Sequence, residues 1–152
     1  MHSLKTLLVR VAWCGALLGP VAPVAGAEAE TPLPILPETL RWIEAPAGLP
    51  LRATWIVGAE SKPEPYLMRV QLNAGGRIPP HTHPDARNTT VLSGTLYVGF
   101  GATFDEAKLV AVPPGAVYVA PARVPHFGAA PEGAVLYQEA GMGPTGTAFV
   151  KP

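Results

Sequence analysis

From Leu51 to Val150 the chain alternates short apolar runs with polar turns, and many of the runs repeat with the period of two that β-strands impose. In Tyr66–Leu72, the side chains of Tyr66, Met68, Val70 and Leu72 share one face, and Arg69 and Gln71 share the other with Leu67. Arg52–Val57 precedes this run across the polar turn Gly58–Pro65. Further strand-forming stretches follow at Thr89–Phe100 (broken by Gly94), Lys108–Val112, Ala116–Ala120 and Ala134–Glu139, with a shorter one around Thr147–Val150. No window sustains a helical apolar period beyond a turn or two. The pattern predicts an all-β sandwich or barrel.

Composition narrows this picture in a few places. With 152 residues the chain holds one domain with a sizeable core. Its 19 prolines and 16 glycines are interleaved with Val, Leu, Ile and Tyr, the signature of many short strands joined by turns and not of a disordered tract. Formal net charge is zero and charged residues are sparse, so no nucleic-acid surface is expected.

The N-terminus reads as a separate signal. Lys5 and Arg10 precede and adjoin an apolar run, Val11–Val24, broken by Gly15, Gly19 and Pro20, and Ala25-Gly26-Ala27 supplies a small-x-small cleavage site. The run is short of the ~20 apolar residues a membrane span needs. Residues 1–27 are therefore expected to be a signal peptide, with the mature chain secreted or periplasmic and without a stable membrane span. Residues 28–44 then form an extended arm and residues 45–152 the barrel domain. Cys14 is the only cysteine, so the mature chain has no disulfide and no thiolate. Removal of Lys5 and Arg10 leaves nine basic residues against 11 acidic ones, a net charge of −2 that says little about partners.

The chemistry concentrates on histidine. Of four in the chain, His81 and His83 are separated by one residue, so in an extended segment they project the same way. Pro79, Pro80 and Pro84 stiffen that segment. His126 follows a Gly- and Pro-bounded strand and turn, Gly115–Pro125. No Ser sits in a Gly-x-Ser-x-Gly turn, and no paired carboxylates stand at a catalytic spacing; Asp105-Glu106 reads as a solvated turn. Tyr97 and Tyr118 are candidates to offer a hydroxyl to a bound ligand.

The two histidine units resemble the two motifs of the cupin superfamily, small jelly-roll β-barrels. The first motif is matched by Gly75, five residues, His81-Thr82-His83, three residues, Arg87, six residues and Gly94. The second is matched by Gly115, five residues, Pro121-Ala122-Arg123, two residues, His126, three residues and Ala130. The resemblance extends from the strand at Arg52 to the end of the chain. It implies a cupin-type jelly-roll barrel, metal ligands at His81, His83 and His126, a small-molecule ligand or substrate, and a homodimer.

Three positions depart from the family pattern. Arg87 stands where metal-binding cupins usually carry the Glu that is the fourth ligand, Arg123 where the second motif has Gly, and Ala130 where it has Asn. A guanidinium cannot ligate a metal. Three readings of the site follow. The histidines bind a divalent ion as a neutral three-nitrogen face; imidazole alone does not choose among Fe, Mn, Zn, Ni and Cu. Alternatively Arg87 pairs with Asp85, which has the parity to face the same side, and the site holds metal weakly or not at all. In the third, Arg87 points inward and binds a substrate carboxylate or phosphate bidentately. The resemblance implies a metal-dependent oxidoreductase, dioxygenase-like, if the chain is an enzyme; the alternative is a non-catalytic barrel that binds or senses a small ligand.

Overall fold

The pairing of these short strands decides where the histidines end up. In the computed structural model, residues 33–46 and 48–151 are described; the signal-peptide reading of residues 1–27 and the start of the arm lie outside them. The order is β1 (Ile43–Glu44), β2 (Leu51–Val57), β3 (Pro65–Leu72), β4 (Arg77–Thr82), β5 (Arg87–Ser93), β6 (Leu96–Phe100), β7 (Val110–Val112), β8 (Val117–Ala120), β9 (His126–Ala129), β10 (Val135–Met142) and β11 (Ala148–Phe149). Two short 3-10 turns, Pro37–Thr39 and Glu106–Lys108, complete the set. Asp105, expected only as a solvated turn residue, caps the second turn by accepting from the Ala107 N–H.

The strands form two antiparallel sheets, ordered β1-β2-β3-β10-β5-β8 and β11-β4-β9-β6-β7. This is the two-sheet jelly-roll architecture, with no long helix among the described residues. No helix among the described residues is long and apolar enough to cross a membrane. The period-two reading of β3 holds in detail. Tyr66, Val70 and Leu72 are buried, and Met68 on the same face is partly buried against the core. On the outer face, Arg52 donates to Gln71 and Arg69 to Gln138, both across neighbouring strands. Leu72, Val91, Leu96, Val98 and Val135 fill the space between the sheets.

Two local features set the histidines. Proline has no N–H to give a ladder, so Pro79 and Pro80 force an irregularity in β4. Against β9, Ile78 pairs with Gly128 and His81 with His126, so two residues on β4 oppose the single Phe127. A regular strand would send Ile78 and His81 to opposite faces. The bulge cancels that parity, and both are buried. β9 itself was not expected as a strand: it runs only four residues, with Gly128 in its middle. All four residues are buried, the strand lying between β4 and β6, and Phe127 packs on Phe104 of the loop after β6, ring centroids 4.9 Å apart.

The turn between β8 and β9 keeps its shape despite Arg123. That residue adopts φ 62°, the left-handed conformation that glycine enters without penalty, and its N–H donates to the His83 carbonyl at 2.8 Å. Arg123→Gly is accordingly expected to raise the unfolding free energy by about 1 kcal/mol. Urea denaturation checks this, and a loss of stability would show that the Arg123 side chain, exposed in this structure, supports the turn.

Candidate metal centre

His81 enters the barrel from the bulged strand β4, His83 from just past its end, and His126 from the first residue of β9. Pairing of His81 with His126 across the β4–β9 ladder places the two rings with centroids 4.3 Å apart; His83 lies 4.8 Å from His81 and 5.1 Å from His126. One ring nitrogen from each residue falls within 4.8 Å of the others. All three side chains are buried.

The backbone chooses the tautomers. A carbonyl oxygen only accepts, so the nitrogen facing it must carry the proton. His81 Nδ1 donates to the Pro79 carbonyl at 2.8 Å, His83 Nδ1 to Gly146 at 2.7 Å and His126 Nδ1 to Val124 at 3.1 Å. Each Nε2 is thereby left as a lone pair, and His83 Nε2 is buried with no hydrogen-bond partner. Burial pushes the His81 imidazole down to about 4, helped by the neighbouring His126. His83 is pushed down to about 3 by burial and then by the charge of Arg87. His126 is lowered too, first by burial. Three neutral imidazoles with converging lone pairs form a group that can hold a metal ion, and an orphaned buried acceptor such as His83 Nε2 fits that use.

Arg87 faces inward from β5 and is buried; both its Nη atoms are hydrogen-bonded, while its Nε has no hydrogen-bond partner. Nη1 donates to Glu139 Oε2 at 2.8 Å; Nη2 donates to Thr145 Oγ1 at 2.7 Å and to the Gly146 carbonyl at 3.2 Å. Asp85 faces the same side as Arg87, yet its Oδ1 stands 3.9 Å from Nε and is not the arginine's main partner. Its oxygens accept instead from Tyr66, at 2.6 Å, and from Thr145, at 2.5 Å. The Tyr66 ring also lies 5.8 Å from the guanidinium carbon, and its hydroxyl pKa is raised by burial and by the bond to Asp85. The Arg87–Asp85 pair of the second reading is thus a network in which Glu139 takes the leading place. Gly146 is the hinge of it: its carbonyl serves both Arg87 and His83.

Glu139 is the site residue that sequence reading passed over. Its signal was parity: on β10 it shares a face with Val135 and Tyr137, both buried, so a carboxylate was placed on an apolar stripe. Of the two tyrosines singled out, Tyr118 borders a small pocket with His81, His126 and Glu139. Burial and the Glu139 charge raise its pKa. Tyr97 is not brought to the histidines. It lies on the far face of its sheet, where its hydroxyl donates to Glu132.

His81 and His83 open onto a chamber of about 470 Å³. Leu51, Ala53, Met68, Val70 and Ile78 make an apolar wall, while His81, His83, Arg87 and Glu139 supply the polar groups. Glu44, Pro46, Thr147 and Phe149 line it as well, so segments near both ends of the described chain contribute.

Comparison with known proteins places this arrangement. A family model described as a cupin domain matches residues 68–136, a narrower span than the one read from the motifs. Germin-like protein subfamily 1 member 17 of Arabidopsis thaliana is 45% identical over 65 residues, covering 40% of this chain and 29% of that protein. The matched stretch is therefore under a third of that relative's length. Among solved structures, the polyketide cyclase RemF from Streptomyces resistomycificus superposes with TM-score 0.62 at 16% identity, over 80% of this chain and 88% of that one. An RmlC-like cupin from Shewanella frigidimarina gives 0.57 at 16%, over 72% and 89%. A salicylate 1,2-dioxygenase variant from Pseudoaminobacter salicylatoxidans, in complex with gentisate, gives 0.55 at 16%, over 68% and 30%. At such identities the structures speak for the fold. Residues 68–136 match a cupin domain, and together with the two-sheet barrel around the paired motifs this supports a cupin superfamily member.

Proposed function

We propose that this chain is an exported cupin that binds one divalent metal ion through His81, His83 and His126 and uses the ion to hold a small molecule in the adjoining chamber. The observation that carries the reading is the set of three buried, neutral imidazoles whose Nδ1 protons are committed to backbone carbonyls. Fe, Mn, Zn, Ni and Cu all suit such nitrogen ligands. A bound ion would supply Lewis acidity and open positions for an oxygen donor. The chain's own part is to orient the three rings, to surround the ligand with an apolar wall, and to keep Arg87 and Glu139 beside it.

Under this reading the enzyme would be a metal-dependent oxidoreductase, dioxygenase-like. The competing reading is a barrel that binds or senses a ligand without turnover. Arg87 supports the latter, because it occupies the position of the usual acidic ligand and its charge opposes a cation at His83. Export rests on the pattern of residues 1–27. A homodimer is supported by Val117 and Val119, 58% and 51% exposed on the edge strand β8.

Tag-free protein is expected to purify with close to one metal per chain, and the His81→Ala/His83→Ala double variant with almost none. Elemental analysis decides this; equal traces in both would remove the metal reading. Oxygen uptake by the loaded protein over a panel of aromatic and thiol compounds then separates the enzyme from the binder. Light scattering is expected to return twice the chain mass, and a charged substitution, Val119→Glu, to halve it; a monomeric parent protein would end the dimer reading.

The pH dependence of the metal-free protein has a definite sign. His81 and His83 titrate at about 4 and about 3 when folded, against an ordinary value of 6.5. The unfolded chain therefore takes up protons first, and stability that is complete above pH 6.5 is lost as pH falls toward 4. Denaturation midpoints measured without metal should drop across that window, and the drop should shrink in His81→Ala/His83→Ala. A flat profile in the parent protein would mean that these rings take up protons in the folded state at their ordinary pH.

A further inference from the structure

Arg87 poses an electrostatic problem for any cation at the three histidines. A buried guanidinium that shares the Gly146 carbonyl with His83 disfavours positive charge at the same place. A metal site that has exchanged its carboxylate for an arginine needs compensation from elsewhere in the barrel. Glu139 is placed to give it. Its side chain is 8% exposed, and its hydrogen-bond partner among the described residues is Arg87, through Oε2.

The cavities locate it further. Glu139 and His81 both line the large chamber. They also line, with His126, Tyr118 and Tyr137, a separate pocket of about 20 Å³. That is room for a single water, which needs ~10–15 Å³. Glu139 therefore shares a water-sized pocket with two of the three rings.

We infer that Glu139 is the outer-sphere carboxylate of the centre. From β10 it supplies the negative charge that Arg87 removed from β5, and it accepts a hydrogen bond from water or a hydroxylic ligand held at the three histidines. The inference rests on the metal-binding reading above. Arg87 then has two tasks, to hold Glu139 in place through Nη1 and to anchor the Gly146 carbonyl that orients His83. The pair is a charge-reversed arrangement of the usual site, with the acid moved one strand over in the same sheet.

Cobalt(II) is a suitable probe, since its visible spectrum reports both occupancy and surroundings. Titration of metal-stripped, tag-free protein is expected to show binding that weakens roughly 10–100-fold in Glu139→Gln, with a shifted spectrum. Because that variant leaves Arg87 unpaired, the deciding comparison is Arg87→Met against Arg87→Met/Glu139→Gln. The double variant should bind cobalt more weakly than Arg87→Met by a similar factor. Equal affinities in that pair would overturn the inference and reduce Glu139 to a counter-ion for Arg87. No cobalt binding by the parent protein would instead overturn the metal reading itself, and this inference with it.

Discussion

The constraint on which the site depends is the missing N–H of two consecutive prolines. Pro79 and Pro80 cannot complete the ladder with β9, and the irregularity they create shifts the side-chain alternation of β4 by one place. Before the bulge the inward residue is Ile78, part of the core; after it the inward residue is His81, with His83 following in phase. One strand thus contributes first to apolar packing and then to chemistry. His126 is positioned by the same ladder, since it pairs with His81.

Around that strand the barrel divides its labour by sheet. The sheet holding β4 and β9 carries the imidazoles, and the opposite sheet carries the charges, with Arg87 on β5 and Glu139 on β10. Charged groups this deep survive only when paired and hydrogen-bonded. Arg87, Glu139, Thr145 and Gly146 meet most of that requirement among themselves, with Asp85 and Tyr66 as a second tier; Arg87 Nε alone keeps no hydrogen bond, with Asp85 3.9 Å away. The polar network costs the barrel part of its apolar interior, and in return it fixes the orientation of groups that face the chamber.

Much of this was legible in the chain. Period-two alternation located most of the strands, because inward residues such as Tyr66, Val70 and Leu72 are apolar and their neighbours polar; β1, β4 and β9 were not read as strands. The three histidines could be named from their spacing and their Gly and Pro frames. What resisted reading depends on distant pairing. Arg87 meets Glu139 only because β5 and β10 are neighbours, 52 residues apart in sequence. Tyr97, Tyr118 and Tyr137 look alike in sequence, yet only the latter two border the histidine pocket. β9 was hidden by its brevity and its central glycine.

The shared carbonyl of Gly146 ties the charged network to the imidazoles. This oxygen orients His83 from outside the barrel strands, on the segment that links β10 to β11 and helps to line the chamber. Displacing that short stretch of backbone would withdraw the acceptor of the His83 ring and one acceptor of Arg87 together, so the orientation of an imidazole and the seating of a cation hang on one oxygen.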